Sequence, residues 1–206
     1  IIDEAQDLSS LQWTIINKLS KRVGEIYVAG DDDQAIYEWA GADVHQFQNF
    51  PGDREVLSQS YRLPRKLVEL GNQIAGSIQD RQPKQFKARS CEGSINWIVD
   101  EEEVDLSCGT WLLLARNDYH LRRYKQLCEA WEITPGKRVR ISTIHGAKGA
   151  EADNVLLTTD MSRRCWDAYK ESPDSERRVW YVGITRTRNE INILRPRTRY
   201  YFDEVI

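Results

Sequence analysis

The sequence predicts a three-layer α/β fold built on a largely parallel sheet. Short apolar runs such as "EIYVAG", "TWLLLA" and "NVLLTT" read as strands buried on both faces. Segments with apolar residues at helical spacing lie between such runs, and the two kinds alternate along the chain. Neither an internal repeat nor a low-complexity tract interrupts that rhythm.

Taken in order, "IIDEAQD" places Ile1 and Ile2 as the end of a strand that runs into an acidic turn. "SSLQWTIINKLS" sets Leu11, Ile15, Ile16 and Leu19 on one helical stripe, with Ser9 or Ser10 as cap. "EIYVAG" is a second strand that enters a glycine and an acidic turn. After the strand-like "EVLSQSYR", Leu63, Leu67, Leu70, Ile74 and Ile78 form a helical pattern, and Pro64 suits only its first turn. Residues 79–93 are polar and irregular and read as a surface loop.

"SINWIV" and "TWLLLA" are strands separated by "DEEEVD", a solvated loop or helix start rather than a metal site. Asp118 to Glu132 reads as a helix with Leu121, Tyr124, Leu127, Cys128 and Trp131 facing inward. "RVRISTI" and "NVLLTT" flank "HGAKGAEAD", and "SERRVWYVGITRTR" is a helix feeding a last strand, "INILR".

With 206 residues, 40% hydrophobic and 30% charged, the chain has the composition of a soluble globular protein and room for one large or two small domains. It has no apolar run long enough to span a bilayer, and no membrane partner is expected. Four scattered cysteines and three histidines lack metal-ligand spacing, so reduced thiols in a cytoplasmic protein are expected. The net charge is −3, unevenly spread: residues 137–199 hold 14 Lys+Arg against 8 Asp+Glu, the remainder 15 against 24. A basic C-terminal third on an acidic chain suits a phosphate-bearing partner, although ordinary unevenness of surface charge explains it equally well.

In parallel sheets ligands bind at the carboxyl ends of strands. Asp3 and Glu4 stand at one such end, and Asp31, Asp32, Asp33 and Gln34 at another. A hydrated magnesium ion takes one or two carboxylates plus ligand phosphates, and a neighbouring carboxylate orients an attacking water. An acidic turn is also a plain helix cap, and the residues alone leave both readings open. Arg62, Arg186 and Arg188 are candidates to reach a terminal phosphate, or simply surface cations. "TIHGAKGAE" surrounds Lys148 with small residues but is not a G-x-x-x-x-G-K-[ST] cradle, and the chain contains none. Tyr37, Trp39 and Tyr61 are aromatic residues among polar neighbours, suited either to stacking on a base or to core packing.

In this order, "IIDEAQD", "VAGDDDQAIYEWAGAD", "LSQSYR", "TWLLLARN", "VRISTIHGAKGAEADNVLL" and "RRVWYVGITRTRNEINIL" resemble the motifs of the UvrD/Rep-like DNA helicases, over nearly the whole chain. The resemblance implies a RecA-like P-loop NTPase fold, with residues 1–58 as the C-terminal part of a truncated first domain and residues 59–206 as the second. It implies an ATP-dependent helicase or translocase that moves on single-stranded or partly duplex DNA, usually 3′ to 5′, with ATP and Mg²⁺ as cofactors. Asp3 would hold the metal, Glu4 activate the water, and Gln34 sense the γ-phosphate. Tyr61 would stack on adenine, Arg62 and Arg186 reach the γ-phosphate, and Glu151 lie near the ribose. Trp39, supported by Tyr37, would stack on a DNA base, and Thr143 and His145 would line the DNA surface.

Three departures stand against that pattern. The family's phosphate cradle is absent, which implies a missing N-terminal portion and a chain inactive by itself. The stretch from Tyr61 to Thr143 is no longer than the second domain needs, so a large accessory domain does not fit there. Ala40, where the family often has arginine, removes one phosphate contact. The rival readings are a non-catalytic DNA- or partner-binding module from a split helicase, and the motor portion of a nuclease or recombination complex.

Overall fold

The computed structural model describes residues 1–205. Its centre is a five-stranded, wholly parallel sheet: β1 (Ser94–Ile98), β2 (Trp111–Ala115), β3 (Val139–Thr143), β4 (Ala152–Thr158) and β5 (Thr187–Leu194). They lie in the order β1-β5-β4-β2-β3. Every residue of β2 is buried, as its unbroken apolar run requires of a central strand.

Because side chains alternate across a strand, each face has its own core. Leu112, Leu114, Val155, Leu157, Ile191 and Ile193 pack beneath α3 (Arg65–Ser77) and α6 (Pro173–Ile184). Leu113, Leu156 and Leu194 pack on the opposite face with Leu121, Tyr124 and Leu127 of α4 (Leu121–Ala130). Tyr124 keeps its hydroxyl satisfied there by donating to the Leu114 carbonyl at 3.0 Å.

Around this sheet the predicted elements fall largely where expected, with instructive exceptions. The last helix stops at Ile184, and β5 begins at Thr187 rather than at Ile191, because Thr187 already pairs with Ala152. Trp131, expected inward, is 42% exposed, since α4 has ended and its residue caps the turn. "EVLSQSYR" supplies one isolated bridge, Gln59 to Lys87, not a strand. An unforeseen helix, α5 (Arg163–Glu171), is capped by Ser162. "DEEEVD" does start a short helical turn, but Glu101 is buried and paired with Arg123 and Arg197.

The N-terminal segment is built differently. Ile2 and Val28 form only an isolated parallel bridge, with Ile2 N–H donating to Tyr27 and Ala29 N–H to Ile2. Between them α1 (Ser10–Ser20) starts with a capping box of Ser9 and Gln12. The expected inward stripe faces solvent instead: Leu11 is 71%, Ile15 51% and Leu19 56% exposed, and only Trp13 is buried. Nothing among the described residues lies over that face, so its periodicity is that of a packed helix without the packing.

Candidate functional site

The bridge between Ile2 and Val28 puts the two acidic turns side by side. Gln6, wholly buried, ties them: its Nε2 donates to Glu4 Oε2 at 2.5 Å, and its Oε1 accepts from Asp31 N–H at 3.0 Å. Gly30 makes room for this, because a Cβ there would sit 2.4 Å from Gln6 Oε1. Glu4 adopts the left-handed region, φ 52°, a conformation costing of order 1 kcal/mol or more in a residue with a side chain. Asp3 is exposed, and among the described residues its carboxylate accepts only the Glu4 N–H, at 2.9 Å on Oδ1, which leaves carboxylate oxygen free for a cation.

At Gln34 residues from distant parts of the sequence meet. Its Nε2 donates to Asp31 Oδ2 at 2.7 Å, which turns its Oε1 outward to accept from Arg186 Nη2 at 2.9 Å. Arg186 sits at the end of α6, where its Nε donates to the Val182 carbonyl and its Nη2 also to Thr185 Oγ1. Burial, then the charge of Arg62, lowers its guanidinium to about 10, so it remains a cation at neutral pH. Arg62 has a buried Nε with no partner among the described residues, and its nearest carboxylate oxygen is Glu151 Oε2 at 3.7 Å. Two neighbouring guanidinium groups, one under-satisfied, form an arrangement that an anion would stabilise.

Glu151 also pairs with Arg188, and that hydrogen bond is the main reason its carboxyl titrates below the usual range. Arg188, read from the sequence as a possible phosphate contact, is thus exposed and already engaged. Tyr61 is 87% exposed.

A second group of predicted residues gathers beside this one. Tyr37, Trp39 and His145 form an aromatic triangle with ring centroids 6.5, 6.2 and 6.2 Å apart. Tyr37 is anchored, its hydroxyl donating to the His145 carbonyl at 3.1 Å, whereas Trp39 is 76% exposed. Gly41, at φ 95°, lets the chain turn back just after it. Burial and the Arg116 charge push the His145 imidazole down to about 4. Thr143, at the end of β3, accepts the Gly146 N–H at 3.1 Å and so shapes the turn that carries His145.

Sequence reasoning passed over Lys148. Its ammonium donates to both oxygens of Asp7, at 2.6 and 2.5 Å, and to the Gln34 carbonyl at 2.7 Å, and lies 5.1 Å from the Tyr37 ring centre. Asp7 is thus tied to a residue 141 positions away. Its carboxyl titrates above the usual range because burial outweighs the Lys148 attraction. The small residues around Lys148 were the available signal. Residues 79–93 form the irregular surface loop expected, but two of its cations reach inward: Arg81 grips Asp33 at 2.7 and 2.6 Å, and Lys84 lies among Asp31, Asp32 and Asp33.

Residues 1–55 match the UvrD/REP helicase N-terminal domain, and residues 120–195 match the UvrD-like helicase C-terminal domain. The chain belongs to the UvrD/Rep-like helicase family. Its relatives in that family include a probable DNA helicase of Mycoplasma pneumoniae, 25% identical over 91% of this chain and 41% of that protein. DNA helicase II of Salmonella typhimurium is 24% identical over 92% of this chain and 26% of its own length. ATP-dependent DNA helicase PcrA of Bacillus subtilis is 31% identical over 45% of this chain and 13% of its own.

This UvrD/Rep-like chain therefore spans about two fifths or less of the curated relatives it matches most broadly. Among solved structures, the arterivirus nonstructural protein 10 helicase with DNA covers 94% of this chain and 38% of its own, at a TM-score of 0.59 and 14% identity. That likeness is one of fold, and the fold is RecA-like. Among the described residues, no helix is long and apolar enough to cross a membrane.

Proposed function

We propose that this chain is the motor portion of an ATP-dependent DNA helicase or translocase that moves 3′ to 5′ on single-stranded DNA. The observation that carries the reading is Gln34, held by Asp31 on one side and offered to Arg186 on the other. A side chain so placed registers an anion that competes for Arg186, and so couples nucleotide state to the contact between residues 1–58 and 59–206, the two proposed domains.

When bound, ATP with Mg²⁺ supplies the phosphoryl group and its charge-neutralising metal. Asp3 has the free oxygen to hold the metal, and Glu4, turned by its left-handed backbone, is the candidate to orient the attacking water. Arg62 and Arg186 would neutralise the γ-phosphate, Tyr61 stack on the adenine, and Glu151 take the ribose once released by Arg188. Trp39 would stack on a DNA base, supported by Tyr37, with Thr143 and His145 along the strand; each such stack contributes roughly 1–3 kcal/mol. The relatives' printed names, DNA helicases that are ATP-dependent in the case of PcrA, support this reading.

The exposed stripe of Leu11, Ile15 and Leu19, with Val23 and Tyr27 beside it, supports a further N-terminal portion as its cover. The chain contains no glycine-rich phosphate cradle, so it is expected not to turn over ATP by itself. Magnesium-dependent phosphate release by the purified 206-residue chain would contradict this. In a polypeptide that supplies the cradle, Glu4→Gln is expected to lower turnover by about 100-fold or more while ATP still binds. Unchanged single-turnover hydrolysis would remove Glu4 from the role.

A further inference from the structure

Three consecutive aspartates, Asp31, Asp32 and Asp33, point carboxylate oxygens into one space less than 4.8 Å across. Asp32 and Asp33 are buried and Asp31 nearly so. Three anions so close repel unless a cation lies among them, and one does. The Lys84 ammonium contacts Asp32 Oδ1 and stands 3.1 Å from Asp31 Oδ1 and 3.0 Å from Asp33 Oδ2. It supplies the positive charge that the three carboxylates require.

Its partners are shared out. Arg81 already binds Asp33 through two hydrogen bonds, and Asp32 also accepts the Gln82 N–H at 2.6 Å and Gln48 Nε2 at 3.1 Å. Asp31 has no cation within salt-bridge reach other than Lys84 among the described residues, and Asp31 is the residue that holds the Gln34 amide.

We propose that Lys84 is a positioning residue for Gln34, acting through Asp31. The proposal rests on the reading of Gln34 as the nucleotide-facing residue. As an anion, Asp31 can only accept, so Gln34 must turn its NH₂ toward it and its Oε1 toward Arg186. A protonated Asp31 becomes a donor, can bind Oε1 instead, and turns the NH₂ toward Arg186, where two donors repel. Lys84 keeps Asp31 in the first state.

Burial already lifts the Asp31 carboxyl above its usual range, with Lys84 the main opposing influence. The other charged and titratable groups facing the cluster are Asp32 and Asp33 on the turn and Arg81 on the loop. From α6 and its end come Tyr181, Arg186 and Arg178, whose Nε donates to the Asp32 carbonyl and whose Nη1 lies 3.5 Å from Glu38. None of the three directly pairs with the Asp31 carboxylate.

The test follows the Gln34 side-chain amide by nitrogen–proton NMR in the isotope-labelled full chain without nucleotide, its signal assigned by loss in Gln34→Met. The signal is titrated between about pH 4 and pH 8. In Lys84→Met the Gln34 amide is expected to shift with a midpoint at least about one pH unit above that of the unaltered chain, a tenfold change in proton affinity.

An unchanged midpoint in a folded variant overturns the proposal. Should Lys84→Met fail to fold, Lys84→Met with Asp32→Asn removes one charge of each sign and is judged by the same midpoint. Failure of both to fold also overturns it, since Lys84 would then serve stability at large. No ATP enters the measurement, so a failed turnover assay on Glu4→Gln counts against the proposed function and leaves this result standing.

Discussion

In β2 every side chain from Trp111 to Ala115 is buried, whereas in α1 only Trp13 is, although both segments carry apolar residues at the spacing of packed elements. The sheet is held from within by two hydrophobic cores, one on each face. The N-terminal segment has an isolated bridge for a sheet and an apolar stripe facing water. What anchors it, apart from Ile36 and Tyr37 packed on the edge of one core, is polar: Asp7 to Lys148, Asp33 to Arg81, Asp31 and Asp32 to Lys84, and the Tyr37 hydroxyl to the His145 carbonyl. Hydrophobic burial is nondirectional and fixes the sheet, while ion pairs are directional and fix how the acidic turns face it. A contact made of charges can be rearranged by a charged ligand, which a dry apolar interface cannot.

The comparison is broken most directly by truncating one apolar side chain in each region. Leu113→Ala, in the dry core, is expected to cost about 4 kcal/mol in urea unfolding of the full chain. Ile15→Ala, on the exposed stripe, should change it by no more than about 0.5 kcal/mol. Equal costs would mean that α1 is packed in solution.

Next in size is Asp33→Asn, which removes the buried charge that holds the half-buried Arg81 and is expected to cost about 3 kcal/mol. A cost near zero would show that the ion cluster does not anchor the N-terminal segment.

The smallest effect is a pH dependence. The His145 imidazole is pushed down to about 4 in the folded chain, by burial first and then by Arg116. Unfolded, it takes up a proton near pH 6.5, so the unfolded state binds more protons between those values. Stability is therefore expected to fall as pH drops from about 6.5 to about 4 and to level off below. The loss should be about 1 kcal/mol at pH 5, allowing for partial exposure of the ring. His145→Gln should remove that share of the slope. Parallel curves for the two proteins would mean that the imidazole is solvated.

Much of this was legible beforehand, and unevenly so. The strands at 111–115 and 152–158 follow from apolar runs, because a central parallel strand needs both faces apolar, whereas the edge strands at 94–98 and 139–143 mix apolar and polar residues and are only partly buried. Gln34 and Arg186 were nameable from their motifs, and the fold brings them within 2.9 Å. Glu4, Arg62 and Glu151 also gather on that side of the molecule, as the charges acting on Arg186 and Glu151 indicate. By contrast, Arg81, Lys84 and Lys148 gave almost no signal. Lys148 and Asp7 are 141 positions apart, and a polar loop that grips buried aspartates has the same composition as one that waves in water.

The sequence by itself determined the α/β class, the parallel strands, and the helix starts at Ser9 or Ser10 and at Pro64, and it named the motif residues now proposed to bear chemistry. Those are local properties, set by periodicity, side-chain chemistry and capping within a few positions. Only the tertiary structure decided that the stripe of α1 stays bare, that Lys148 spans to Asp7, and that a lysine occupies the aspartate cluster. Which charge meets which depends on how distant segments are brought together, and no local pattern records that.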